Sequence, residues 1–153
     1  MAQLDSKDIE ILSILQEDAT LTTKQLTSRV HLSSTPVFER VKRLEKEGYI
    51  RKYAAILDAD KLGKGFIVFC QVKLLRMGTD TANDFVSKVK DIPEVTECYN
   101  ISGEYDYLMK VHAPDMRYYQ QFLINVIGRI SSVGSVQSTF VMQEIKQTYG
   151  LSM

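Results

Sequence analysis

Up to Gly48 the apolar residues of this chain recur at helical spacing, whereas from Tyr49 onward strands and helices alternate. That switch of period constrains the fold more than any other feature, because a helix bundle and a layered sheet cannot share one pattern. In "LDSKDIEILSILQED", Asp5 is placed to cap a first helix, with acidic Asp8 three residues on and Ile9, Leu12 and Leu15 along one face. In "TTKQLTSRV", Thr22 precedes Gln25 by the capping-box interval, and Leu26 and Val30 point inward from a short second helix. "HLSS" breaks the pattern for only a few residues. Ser33 or Ser34 then caps a third helix, Pro36 falls in its first turn, where a missing N–H matters little, and Gly48 ends it.

Three helices with a tight turn between the last two predict a helix-turn-helix, and "YIRKYAAILD" predicts a strand serving as wing or arm. The polar, glycine-containing "DADKLGKG", 58–65, is the expected linker. Beyond it the order predicted is strand 66–75, helix 79–92, strand 95–102, strand 106–113, helix 115–130 and strand 135–145, with Met116, Tyr119, Leu123, Val126, Ile127 and Ile130 lining the second of these helices. The fold class is therefore α+β: an N-terminal winged helix-turn-helix domain, 1–57, and a C-terminal ferredoxin-like β-α-β-β-α-β domain, 66–153, with an antiparallel sheet. Both helices would cover one sheet face, yet the strands carry apolar residues in both alternating sets, Ile67 and Phe69 against Phe66, Val68 and Cys70. A second copy covering the free face is the expectation, hence a homodimer at least.

The longest strictly apolar run, 66–70, is far shorter than a membrane helix. The opening "MAQLDSKD" lacks the basic-then-apolar order of a signal peptide, so a cytoplasmic protein without membrane partners is expected. Cys70 and Cys98 sit in apolar, strand-like runs and are expected as buried thiols. His31 and His112 have no companions at metal-ligand spacing, and no nucleophile, base and acid fall into a catalytic pattern; metal, cofactor and enzymatic activity are not expected.

Formal net charge is zero, but residues 1–28 hold two basic and five acidic side chains while 29–52 hold seven basic and three acidic ones. A local basic stripe of this kind can attract phosphates whatever the overall balance. On a helical wheel Val37, Val41 and Leu44 face the core of the third helix; Thr35, Glu39, Lys42, Arg43 and Lys46 fall on the far side, with Phe38 and Arg40 at its flanks. The small first turn, Ser33, Ser34, Thr35 and Pro36, suits close approach to a backbone. Thr35, Phe38, Glu39 and Lys42 are then placed to read bases, and Arg40 and Arg43 to hold phosphates of double-stranded DNA. The competing reading makes Glu39 with Arg43, and Arg43 with Glu47, ordinary ion pairs one turn apart.

"LSSTPVFERVKRLEKEGYI" resembles the helix-turn-helix signature of the Lrp/AsnC, or feast/famine, transcription regulators, and "LDSKDIEILSILQEDA", "SGEYDYLMKV" and "VMQEIKQ" extend the resemblance along the chain. His31 departs from it, since members often carry glycine there. The resemblance implies a C-terminal domain that binds a small amino-acid effector, leucine or another apolar one, between subunits, and octamers built from dimers. Ser102, Gly103, Tyr105 and Asp106 in the turn between two strands, with Asn100, Ser138 and Thr139 nearby, are the candidate effector residues. A purely structural turn, with Gly103 supplying positive φ and Asp106 fixing the hairpin, accounts for the same residues. Two further readings compete: a tetrapyrrole decarboxylase-like enzyme of similar architecture, which would need more basic and histidine residues in the second half, and a ligand-independent DNA-compacting protein.

Overall fold

The computed structural model describes residues 3–153; Met1 and Ala2 of the expected first domain lie outside them. The chain divides into two compact units, one holding residues up to Ile56 together with Lys146–Met153, the other Leu57–Ile145.

The first unit is a three-helix core. Helix α1, Ser6–Glu17, begins at Asp5, whose carboxylate accepts from Asp8 N–H while the Asp8 carboxylate accepts from Asp5 N–H. Helix α2, Thr23–Val30, repeats this reciprocal cap with Thr22 and Gln25, so both N-termini have partners for their unpaired amides. Helix α3, Ser34–Lys46, starts after Ser33, whose hydroxyl makes no capping bond. It ends where Gly48, at φ +80°, donates to the Glu45 carbonyl. His31 closes α2 at φ 54°, ψ 43°, the left-handed conformation that favours glycine, adopted here by a histidine. Ile11, Leu26, Val30, Val37 and Leu44 form the buried centre. In the same unit the Gln16 side chain donates to the Leu151 carbonyl and accepts from Leu151 N–H, both at 2.9 Å.

In the second unit the strands β1, Phe66–Leu74, β2, Val95–Asn100, β3, Tyr107–Ala113, and β4, Val133–Phe140, form one antiparallel sheet in the order β2-β3-β1-β4. Helices α4, Thr79–Val89, and α5, Met116–Asn125, complete the β-α-β-β-α-β order. Val68, Cys70 and Val72 of β1 and Tyr107, Met109, Val111 and Ala113 of β3 are buried with Phe85, Tyr119 and Phe122 of the helices. Alternate residues, Ile67, Phe69, Leu108 and Lys110, stay only partly covered, as a sheet with helices on one side requires.

Several expectations need correction. Residues 49–58, the expected wing or arm, form no strand, because the unit they follow is helical and offers no edge to pair with. β4 stops at Phe140 rather than 145: its last bridges lie opposite Val68 and Ile67, and β1 begins one residue earlier. The helix expected over 115–130 ends at Asn125 and tightens to a 3₁₀ turn, Ile127–Arg129. On α1 the inward positions are Asp8 and Ile11 rather than Ile9, and on α5 Phe122 is buried while Met116 is exposed. Cys70 is buried, but Cys98 is exposed on β2, at the sheet edge. No helix among the described residues is long and apolar enough to cross a membrane.

Candidate functional site

Two surfaces carry the candidate residues, one in each unit. On α3, Val37 and Leu44 are fully buried and Val41 is partly so, which leaves Ser33, Ser34, Thr35, Phe38, Glu39, Lys42 and Lys46 exposed and Pro36 half-buried. Phe38 is 53% exposed, and Lys42 Nζ lies 5.9 Å from its ring centroid. A large apolar ring held outward beside a cation offers a face on which a base or sugar can pack. Lys42 also pairs with Glu45 at 2.8 Å, and Tyr53 O–H donates to the other Glu45 oxygen at 3.0 Å. These two partners, Lys42 first, hold the Glu45 carboxyl below its ordinary range. Among the described residues, no ion pair engages Lys46, Arg51 or Lys52.

Arg40 and Arg43 stand apart from this set. Arg40 Nη1 donates to Asp5 Oδ2 at 2.6 Å and to Asp8 Oδ1 at 2.7 Å, and Arg43 Nη2 donates to Asp8 Oδ2 at 2.6 Å. The expected Glu39–Arg43 pair does not form among the described residues, and Glu47 reaches Arg43 only at 4.0 Å. The wheel put Arg43 on the far side; its long stem instead brings the guanidinium back to α1, because a carboxylate buried as deeply as Asp8, 1% exposed, needs compensation. Burial pushes the Asp8 carboxyl up, but hydrogen bonds from Arg43, from Asp5 N–H and from Arg40 outweigh it and bring the pKa to about 2. By its sequence context Asp8 reads only as part of the helix cap. The missed signal is its spacing: three residues before Ile11 it falls on the core stripe of α1, where an acid calls for a cation.

The second surface is the hairpin joining β2 and β3. Gly103 sits at φ +122° with open space where a Cβ would stand. Asp106 is tied through its amide, one carboxylate oxygen and its carbonyl: its N–H donates to the Val72 carbonyl, its Oδ2 accepts from Leu74 N–H at 2.7 Å, and its carbonyl accepts from Ile101 N–H and from the Asn100 side chain at 2.9 Å. Its other carboxylate oxygen has no hydrogen bond among the described residues. Tyr105 O–H donates to Gln137 Oε1 at 2.7 Å, and Lys73 Nζ donates to the Glu104 carbonyl at 2.7 Å. Asn100, Ser102, Gly103, Tyr105 and Asp106 are thus brought together, with Gln137 and Lys73 as neighbours the sequence did not single out. Thr139 shares the open sheet face with Gln137, two residues away. Ser138 is turned to the other face, where its hydroxyl meets Tyr119 O–H at 2.6 Å. Among the described residues no cluster of three or more metal-ligating side chains occurs.

Residues 4–51 match the family model described as winged helix-turn-helix DNA-binding, and residues 67–151 the model described as Lrp/AsnC ligand binding domain. The chain is 39% identical to the leucine-responsive regulatory protein of Klebsiella pneumoniae and 38% identical to that of Escherichia coli K12, in each case over 95% of this chain and 88% of the relative. Among solved structures, a transcriptional regulator of Neisseria meningitidis crystallised as its L-Met complex superposes with a TM-score of 0.94 at 38% identity, covering 98% of this chain and 97% of that one. An AsnC family transcriptional regulator of Agrobacterium tumefaciens gives 0.92 at 37% identity, covering 97% of each.

Proposed function

This chain belongs to the Lrp/AsnC family of DNA-binding transcriptional regulators, and we propose that it meets duplex DNA with the outer face of α3 and a small apolar amino acid with the β2–β3 hairpin. The observation that carries the DNA surface is the outward Phe38, flanked by Thr35, Glu39 and Lys42, over a first turn made of Ser34 and Pro36. In a major groove Thr35 can contact a thymine methyl, Glu39 can accept from cytosine N4 and Lys42 can donate to guanine. Lys46, Arg51 and Lys52 supply phosphate attraction.

The hairpin suits a zwitterion. The free Asp106 oxygen can accept from an ammonium, the uncrowded backbone at Gly103 can approach a carboxylate, and Tyr105 supplies a wall. The relative crystallised with L-Met and the relatives named for leucine support an apolar amino acid. The half-covered sheet face with Ile67, Phe69 and Leu108 is the surface we assign to a second copy of the chain. Larger assemblies, up to the octamer that the family resemblance implies, would be built from that dimer.

Calorimetric titration of the full chain with the twenty amino acids tests the effector reading. L-Leu or L-Met should release heat with the wild type, and Asp106→Ala should weaken the same binding at least about tenfold, the effect of losing one charge-assisted hydrogen bond. Heat from none of the twenty would contradict the assignment.

A further inference from the structure

The two arginines that the wheel offered to DNA phosphates are engaged before DNA arrives. Arg40, Arg43, Asp5 and Asp8 form a closed set of two cations and two anions, with contacts of 2.6 to 2.7 Å. The set sits beside Pro36 and Glu39 at an open depression of ≈ 480 Å³ on the flank of α3. Its formal charges cancel, so it releases few counterions when a phosphate approaches. Its geometry does something else. The capping box fixes Asp8 at the start of α1, and the two guanidiniums, one helical turn apart on α3, are drawn to opposite oxygens of that single carboxylate. A rotation of α3 about its axis would have to break one of these bonds.

Resting on the DNA reading above, we propose that Asp8 is a positioning residue of the DNA interface: it clamps Arg40 and Arg43 between α1 and α3, sets the rotation of the reading helix, and leaves phosphate attraction to Lys46, Arg51 and Lys52. The relevant chemistry is internal, so Asp8 never touches DNA.

The test is the salt dependence of binding of the full-length chain to a fluorescent duplex of mixed sequence, since the slope of log affinity against log salt reports phosphate contacts at about 0.9 each. Lys46→Ala should flatten the slope by about one contact. Asp8→Asn, which keeps an acceptor for the guanidiniums but removes the cancelling charge, should steepen it by up to about one. Arg40→Ala and Arg43→Ala should lower the thermal midpoint while flattening the slope by well under half of what Lys46→Ala does. A purely architectural role for Asp8 would lower affinity without steepening the slope. If either alanine variant fails to fold, Arg→Gln at that position retains a donor for Asp8 and is read in the same assay. Arginine variants that flatten the slope as much as Lys46→Ala, or an unchanged slope in Asp8→Asn, would overturn the clamp while leaving the DNA reading intact. Failure of the wild type to bind the duplex would overturn both.

Discussion

Asp8→Ala should destabilise the helix-turn-helix unit by about 3 kcal/mol, the lower end of what removal of one partner from a buried ion pair costs. The lower end applies because Arg40 and Arg43, at 28% and 33% exposure, can be partly rehydrated, whereas the carboxylate they compensate, at 1%, cannot. Loss of the acceptor for Asp5 N–H adds a capping penalty of about 1 kcal/mol. The same pair makes stability depend on pH. The Asp8 pKa lies at about 2 in the folded chain, below its ordinary 3.8, so its contribution is fully present above pH 3.8 and is lost as pH falls through 2. The shift corresponds to about 2 kcal/mol. Urea unfolding followed by circular dichroism at neutral pH and across pH 5 to 2 measures both. A loss below about 1 kcal/mol for Asp8→Ala, or no acid-dependent difference between wild type and Asp8→Asn, would contradict the pairing energetics.

The largest effect on DNA should come from replacing Lys46, Arg51 and Lys52 together with glutamine. These side chains are exposed and make no ion pair among the described residues, so their charge is available to phosphates. At about 0.9 counterions per contact, each is worth about fivefold in affinity near 0.15 M salt, and the three together about a hundredfold. Lys42 is a weaker electrostatic contributor because Glu45 holds it at 2.8 Å; its value lies in reading a base. Anisotropy titrations of wild type and triple variant against one duplex read the loss directly. A change of less than about fivefold would mean that phosphate attraction resides elsewhere.

The elements of the fold were legible wherever local chemistry dominates. Both capping boxes, the Gly48 terminator and the alternation of Val68, Cys70 and Val72 along β1 follow from residue types a few positions apart. What escaped depends on distant partners. The segment 51–58 has the composition of a strand and forms none, since a strand is completed by a neighbour. β4 ends where its neighbour β1 begins, which no property of residues 141–145 announces. The candidate site shows the same division. Outward residues of α3 were found by geometry on one helix, but the partners of Arg40 and Arg43 lie 35 residues or so upstream, beyond any periodic pattern. Polarity alone marks Ser138 as a candidate, whereas its partner Tyr119 satisfies it on the helix-covered side of the sheet.

On the proposed reading, duplex DNA is met by α3 and the basic residues just after it. Hydrogen–deuterium exchange of the full chain with and without a saturating duplex tests it most directly. Slower exchange is expected in peptides spanning residues 31–53, with the sheet unit, residues 66–140, unchanged or nearly so. Protection confined to the sheet unit, or none in residues 31–53, would contradict it.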